Sequence, residues 1–212
     1  LDELSPEAQL IGAVNTVLND NGKLIGYNTD GYGFMQSVRD AGHDITGKNI
    51  TVMGVGGASM AICAQSALDG AASVHIFARR TSRYWNRTQK FAENLSAKTG
   101  CQVCLFDNDD HTALRDSIAQ SYLLINATSV GMVPDIDDTI IKDTSLFHPE
   151  LVVADVVYEP QETRLLREAK AAGCQTFNGM YMLLHQGAKA FQIWTGQEMP
   201  VSVIKEKYFS VK

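Results

Sequence analysis

The 212-residue sequence has no long hydrophobic run and no excess of basic residues, and each absence excludes a class of function. It contains no stretch of about 18 apolar residues, so no transmembrane helix of ordinary length is predicted. Residues 1–7 also lack the basic and apolar segments of a signal peptide. Lys and Arg number 18 against 24 Asp and Glu, which gives a net charge of −6. A negative chain is poorly suited to nucleic acid or an anionic membrane, so we expect neither as a partner.

Cysteine is scarce, with four residues in the chain: Cys63, Cys101, Cys104 and Cys174. Cys101 and Cys104 form a CxxC pair without the second pair typical of a zinc site, and the sequence around them alternates like a strand. We interpret the cysteines as buried thiols of a protein in the reducing cytoplasm. The five histidines show no ligand spacing, so no metal site is predicted.

From residue 49 onwards the sequence alternates between apolar strands and helices. The strands are apolar throughout, which is typical of a parallel sheet covered by helices on both faces. We therefore predict an α/β fold with a Rossmann-like, doubly wound parallel sheet. Its strands are predicted at residues 49–53, 73–77, 101–106, 122–126, 151–157 and 174–177.

Two segments outside this alternation predict a second, smaller α/β domain. Residues 10–18 and 23–27 are predicted as strands of a hairpin around Asn21 and Gly22, a dipeptide that favours tight turns. Helices are predicted at 180–194 and 201–208, beyond the last strand. We divide the chain into the end of the smaller domain (1–28), the parallel-sheet domain (29–178) and C-terminal helices that return to the smaller domain (179–212).

A glycine-rich turn follows the first strand of the parallel sheet: Gly54, Val55, Gly56, Gly57 and Ala58. Glycines let backbone N–H groups approach a pyrophosphate, and the N-terminus of the following helix adds a favourable dipole. An ordinary glycine-rich turn is the alternative. The strand–turn–helix context favours nucleotide binding.

The second strand ends in the segment Ala-Arg-Arg-Thr-Ser-Arg (78–83), where NAD-binding domains place an acidic residue. No Asp or Glu lies between Asp69 and Glu93. Arginines suit a 2′-phosphate because they form charge-assisted, forked hydrogen bonds. We therefore favour NADP over NAD, with a solvated basic turn as the alternative.

Six short blocks occur in one order along the chain: Gly12–Thr16, Asn28–Gly33, Gly54–Ala58, Asn126–Met132, Asp155–Pro160 and Gly179–Ala188. Together they resemble the shikimate dehydrogenase family. Residues 145–149 and 194–196 are most similar to its quinate/shikimate dehydrogenase branch. The ordered set is specific, although no single block is.

The resemblance implies reversible hydride transfer between a nicotinamide cofactor and the ring C–OH of shikimate, giving 3-dehydroshikimate in aromatic amino acid (chorismate) biosynthesis. Quinate is the candidate second substrate. Asp30 would hold the reacting hydroxyl beside a catalytic lysine, and Asn15, Tyr158 and Gln186 would contact the substrate. The implied cofactor ligands are Gly54, Val55, Gly56, Gly57 and Ala58 at the pyrophosphate, Ala78, Arg79, Arg80 and Thr81 at the ribose, and Ser129, Val156 and Gly179 at the nicotinamide.

The sequence departs from the family pattern in two places. The family's catalytic lysine lies upstream of the Asp30 motif, whereas the only lysine before Asp30 here is Lys23, which matches no family motif. We assign Lys23 no role. We expect that part of the smaller domain, which the resemblance makes the substrate domain beside a dinucleotide-binding domain, is missing. We therefore expect weak or absent turnover by these 212 residues alone. Ala78 and Thr81 replace an Asn and an acidic residue of the family, and loss of the acid favours NADP without excluding NAD.

Two other functions stay open at this point. A shikimate- or quinate-sensing module on the same fold has no need of Asp30, so the presence of Asp30, Asn15 and Gln186 weighs against it. A Rossmann enzyme for another substrate has no need of the Asn28–Gly31 block. The sequence leaves the oligomeric state open, with a homodimer among the alternatives.

Overall fold

Two β-sheets organise residues 1–209, the part of the chain that this computed structural model describes. The last three residues of the predicted C-terminal segment 179–212 lie outside the described residues. The first sheet is formed by β1 (Glu3–Leu4), β2 (Thr16–Asp20) and β3 (Lys23–Tyr27), in the order β1-β3-β2. β2 and β3 pair antiparallel around Asn21 and Gly22, whose φ values of 52° and 96° match the tight turn predicted there.

The predicted strand at residues 10–18 is wrong in its first part, because α1 (Pro6–Ile11) is a helix. Ser5 caps it by accepting a hydrogen bond from the Ala8 N–H at 3.2 Å, and Pro6 has the fixed φ that suits a first helical residue. Gly12 ends it in the left-handed conformation. These capping signals override the apolar run that suggested a strand.

The second sheet confirms the predicted doubly wound fold. Its six strands are all parallel, in the order β6-β5-β4-β7-β8-β9. The strand order reverses between β4 and β7, which makes this the switch point of the sheet. The strands are β4 (Asn49–Met53), β5 (Ser73–Ala78), β6 (Gln102–Asp107), β7 (Leu123–Asn126), β8 (Val152–Asp155) and β9 (Gln175–Phe177).

Helices cover both faces of this sheet, so successive strand residues are buried on opposite sides. Ile76, for example, belongs to the core under α2 (Asp30–Asp40), α3 (Gly57–Leu68) and α4 (Trp85–Thr99), and Phe77 to the core under α5 (His111–Gln120) and α6 (Arg164–Ala171). None of the helices within residues 1–209 is long and apolar enough to cross a membrane. The helices are α2 (Asp30–Asp40), α3 (Gly57–Leu68), α4 (Trp85–Thr99), α5 (His111–Gln120), α6 (Arg164–Ala171), α7 (Met180–Thr195) and α8 (Val201–Ile204), with a 3₁₀ turn at Thr144–Leu146 and a π-helical turn at Lys205–Phe209.

The free cysteines are mostly buried in these cores, as predicted. Cys63, Cys101 and Cys174 are buried, and Cys104 is half-buried. Burial raises the pKa of the Cys63 thiol to about 12 and that of Cys101 to about 11. Thiols with such pKa values are poor nucleophiles at neutral pH.

Two glycines in the first turn of α2 allow this helix to approach both α3 and α7. A Cβ at Gly31 would collide with the Ala61 carbonyl of α3. A Cβ at Gly33 would lie 2.7 Å from both the Gln186 nitrogen and the Met182 carbonyl oxygen of α7. The neighbours in both cases are backbone atoms, which cannot move aside without shifting a helix.

We predict that Gly33→Ala lowers the free energy of unfolding by about 1–3 kcal/mol, because the added methyl overpacks a backbone contact. Urea denaturation followed by circular dichroism measures the change. Gly187→Ala in α7 is the matched control, since a Cβ there meets no atom within 4 Å. It should stabilise the protein by about 0.5–1 kcal/mol. Equal effects of the two substitutions would contradict this account of the α2–α7 contact.

Candidate functional site

A cavity of about 590 Å³ lies at the switch point of the parallel sheet. Its walls come from the loops that follow β4, β7 and β8. Crevices at this place, outside the carboxyl ends of the strands, are where doubly wound sheets bind ligands. Six of the predicted site residues line it: Gly56, Gly57, Ala58, Ser129, Val156 and Tyr158.

The glycine-rich turn shapes one wall of this cavity. Gly54 has a φ of 112°, and a Cβ on it would lie 2.8 Å from the Ala127 carbonyl oxygen, so glycine lets the loops after β4 and β7 touch. A Cβ on Gly56 or Gly57 would meet no atom within 4 Å, so these glycines leave space that a ligand can fill. Gly56 caps α3, whose first turn has no acidic side chain. This arrangement fits the pyrophosphate of a dinucleotide.

A buried polar network holds the other two walls. Oδ1 of Asp155 accepts hydrogen bonds from Asn126 Nδ2 and the Val157 N–H, both at 3.0 Å, and Oδ2 accepts from Thr163 Oγ1 at 2.7 Å. Asn126 Oδ1 in turn accepts from the N–H and Oγ1 of Thr128, at 3.1 and 2.6 Å. The network therefore joins the loop after β7 to the loop after β8.

The sequence analysis gave this network no role. A signal for it exists, because a polar residue ends each of two apolar strands: Asn126 in β7 and Asp155 in β8. Carboxyl ends of neighbouring parallel strands lie at one edge, so their side chains meet. Gly179 supports this wall without lining the cavity: its N–H donates to the Val157 carbonyl at 3.3 Å, and a Cβ on it would collide with the Val156 carbonyl.

The predicted ribose-binding residues lie at the end of β5. Ala78 is buried, whereas Arg79, Arg80 and Thr81 are exposed. The Arg80 guanidinium stacks over the Trp85 ring, 4.5 Å from its centroid. Within residues 1–209 no acidic side chain forms an ion pair with Arg79 or Arg80. The arginines are therefore available to an anion.

Arg83 is a further cation here that the predicted site omitted. Its guanidinium lies 4.7 Å from the Tyr84 ring centroid and donates to the Tyr84 hydroxyl at 2.6 Å. The repeated arginines of the 78–83 segment were the available signal.

Asn15 and Asp30 meet beside the first sheet. Asn15 Nδ2 donates to Asp30 Oδ1 at 2.9 Å. Asn15 Oδ1 accepts from the Thr29 N–H and from Thr16 Oγ1, both at 3.0 Å, so the amide has one orientation. Burial raises the pKa of the half-buried Asp30 carboxyl, and the hydrogen bond from Asn15 acts in the opposite direction. The pair is a carboxylate with a fixed donor on one oxygen.

Among the described residues, the side chains of Gln186 and Lys23 have other partners than Asn15 and Asp30. Gln186 is on α7, where its backbone contacts Gly33 of α2 and its Nε2 donates to the Leu183 carbonyl at 3.0 Å. Lys23 forms an ion pair with Glu3 at the start of β3, whereas Asp30 follows the end of that strand. No group of three or more metal-ligating side chains occurs among the described residues.

The doubly wound fold and its glycine-rich crevice are those of a dinucleotide-binding α/β protein. The chain is 53% identical over 209 residues to shikimate dehydrogenase (NADP(+)) of Listeria innocua, and the match covers 99% of this chain and 72% of that relative. The chain belongs to the shikimate dehydrogenase family.

Three further comparisons agree with this assignment. The chain is 42% identical over 206 residues to quinate/shikimate dehydrogenase of Escherichia coli, covering 97% of this chain and 71% of the relative. A crystal structure of Listeria monocytogenes shikimate 5-dehydrogenase in complex with shikimate and NAD superposes with a TM-score of 0.94 at 52% identity, covering 97% and 71% of the two chains. Residues 179–207 match the shikimate 5′-dehydrogenase C-terminal domain family.

We predict that Asp155→Asn keeps the hydrogen-bond network and changes how the stability of the protein depends on pH. Burial raises the pKa of the Asp155 carboxyl, although its three hydrogen bonds oppose the shift. A raised folded-state pKa means that stability is lost as the pH rises through it. Asn never ionises, and its amide can donate to the Thr163 hydroxyl. The variant should therefore gain stability relative to the wild type between about pH 4 and neutral pH.

Urea denaturation of both proteins across this pH range measures the difference. Asp155→Leu is the comparison variant, because it removes the acceptor of three hydrogen bonds and should cost about 3 kcal/mol or more. If the stability of the wild type relative to Asp155→Asn instead grew towards neutral pH, the pKa of Asp155 would be lowered by folding, contrary to this prediction.

Proposed function

We propose that this chain carries the cofactor site and part of the substrate site of an NADP-preferring shikimate dehydrogenase. The reaction is the reversible reduction of 3-dehydroshikimate to shikimate in aromatic amino acid biosynthesis. The observation that carries the proposal is the hydrogen bond between Asn15 and Asp30 at the start of α2. This helix packs against α3, which begins at a crevice fit for a dinucleotide. An ordinary dinucleotide domain has no use for this pair.

Asp30 is proposed to hold the hydroxyl of the reacting ring carbon. Its Oδ1 is occupied by Asn15, which leaves Oδ2 to accept a hydrogen bond from the substrate. A bound nicotinamide dinucleotide would supply the redox chemistry, as acceptor of the hydride from the ring carbon, and a base would receive the hydroxyl proton. In the family a lysine beside Asp30 shares in this proton transfer. Tyr158 at the cavity edge and Gln186 on α7 are the further proposed substrate contacts.

The pyrophosphate is assigned to Gly54–Ala58 and the nicotinamide half to Ser129, Val156 and Gly179. These residues surround or support the 590 Å³ cavity. Arg79 and Arg80, with Ala78 and Thr81 beside them, are assigned to the 2′-phosphate of NADP. The relatives carry both cofactor types in their names, with NADP(+) for the Listeria innocua protein and NAD in the Listeria monocytogenes crystal.

We also propose the domain division 1–28, 29–178 and 179–212. The support is a contact between the last segment and the first: Trp194 Nε1 on α7 donates to the Val17 carbonyl of β2 at 2.9 Å. The four free thiols favour a reducing compartment, and we propose the cytoplasm. Small molecules are the expected partners.

The test is reduction of nicotinamide with shikimate and quinate, each combined with NADP and NAD. It is run on the 212-residue chain and on the gene product that contains it. Turnover with shikimate and NADP by the gene product would support the proposal. Shikimate binding without turnover would favour a sensing module instead. We expect weak turnover by the 212 residues alone, since removal of a proton-transfer group costs about 10²–10⁴-fold.

We predict that Arg79→Ser together with Arg80→Ser weakens NADP binding about 10- to 100-fold and leaves NAD binding within about twofold. A charge-assisted hydrogen bond to the 2′-phosphate contributes about 1.5–3 kcal/mol to NADP binding. NAD lacks the 2′-phosphate, so it makes no such bond and loses nothing. Calorimetric titration of each cofactor measures the ratio. Equal losses for both cofactors would refute the assignment of these arginines to the 2′-phosphate.

We predict that Asn15→Ala moves the acid limb of the pH–kcat profile to higher pH. Loss of the Asn15 hydrogen bond removes the one interaction that lowers the pKa of the Asp30 carboxyl, so the active ionised form appears at higher pH. The gene product is assayed with saturating shikimate and NADP. Asn94→Ala, an exposed change on α4, is the control. A limb that stays in place, or moves to lower pH, would argue against a catalytic role for Asp30.

A further inference from the structure

A second, smaller cavity lies on the other side of the glycine-rich turn. Its volume is about 130 Å³, and Gly56 and Gly57 line it as they line the larger cavity. Arg87 of α4 and Ala13, which follows α1, line the same small cavity. The two glycines thus separate the larger cavity from an arginine that no step of the proposed function uses.

The position of Arg87 is unfavourable for the helix that carries it. Arg87 is the third residue of α4, whose first turn contains no acidic side chain. A cation there opposes the positive end of the helix dipole. Within the described part of the chain, no acidic side chain forms an ion pair with Arg87.

The protein contact of Arg87 uses little of its hydrogen-bonding capacity. Nη2 donates to the Gly12 carbonyl at the long distance of 3.4 Å. A guanidinium has five N–H donors in a planar fork, which matches two oxygens of a phosphate. The side chain is also exposed, so an anion can reach it.

We propose that Arg87 binds the 5′-diphosphate of the dinucleotide from the side of the glycine-rich turn opposite the larger cavity. It acts with the N-terminus of α3, which begins at Gly57. Its role is distinct from that of Arg79 and Arg80, because those residues lie at the end of β5 and line neither cavity. This inference rests on the proposed cofactor site and adds one ligand to it.

The two groups of arginines are separated by two probes and two variants. NAD contains the diphosphate without a 2′-phosphate, and 2′-AMP contains a 2′-phosphate without the diphosphate. Arg87→Met should weaken the binding of NAD and NADP by the same factor, about 10- to 100-fold, and leave the binding of 2′-AMP unchanged. Arg79→Ser should weaken the binding of 2′-AMP and NADP and leave the binding of NAD unchanged. Each affinity is measured by calorimetry on the 212-residue chain.

Controls separate binding from folding. Arg87→Lys keeps the charge without the fork and should bind NAD with intermediate affinity. Arg167→Met, an exposed change on α6 that lines neither cavity, changes the net charge equally and should bind like the wild type. Thermal unfolding of Arg87→Met should match the wild type closely, because only the long contact to Gly12 is lost.

Unchanged NAD affinity in Arg87→Met would overturn the inference and leave the proposed function standing. A loss confined to NADP and 2′-AMP would overturn it as well, and would assign Arg87 to the 2′-phosphate. Failure of the wild-type chain to bind either dinucleotide would instead refute the proposed cofactor site, and with it this inference.

Discussion

The close packing of α2 against α3 and α7 fixes the candidate substrate site relative to the cofactor crevice. Gly31 contacts the backbone of α3, the helix that starts at the glycine-rich turn. Gly33 contacts the backbone of α7, whose cap residue Gly179 lies against Val156 in the cavity wall. One helix is therefore tied to two sides of the crevice, and Asp30 is its first residue. A displacement of α2 would move the carboxylate away from the place where the nicotinamide half is proposed to bind.

The buried Asp155 and the half-buried Asp30 show how similar electrostatics serve different purposes. Burial raises the pKa of both Asp30 and Asp155. Asp155 receives three hydrogen bonds that use both oxygens, which leaves it little capacity for a ligand and makes it a fixed point for two loops. Asp30 receives one side-chain hydrogen bond, from Asn15, in the described structure. The difference in hydrogen-bond satisfaction, more than the pKa, distinguishes the structural carboxylate from the one suited to substrate.

The sequence predicts those parts of the fold whose causes are local. Apolar strands predict the parallel sheet, and Asn21-Gly22 predicts the hairpin, because the pattern and the turn each act within a few residues. The apolar run at residues 10–18 predicts a strand, whereas the capping residue Ser5 indicates the helix α1 that is present. The Asp155 network joins residues 29 positions apart, so only the strand order brings them together. The contact of Arg80 with Trp85 likewise depends on how the turn after β5 folds back onto α4.

The distribution of charge supports one side of the crevice as the anion-binding side. The chain has a net charge of −6, yet the 23 residues between Asp69 and Glu93 contain no carboxylate and include four arginines and one lysine. The carboxylate that contacts this segment, Asp107, accepts hydrogen bonds from the backbone N–H groups of Arg80 and Asp109, at 3.3 and 3.2 Å, which partly compensate its charge. An incoming phosphate therefore has no existing ion pair to displace at Arg79 or Arg80. Since the rest of the surface repels anions, the local field favours an approach in which the phosphates reach this end of the crevice first.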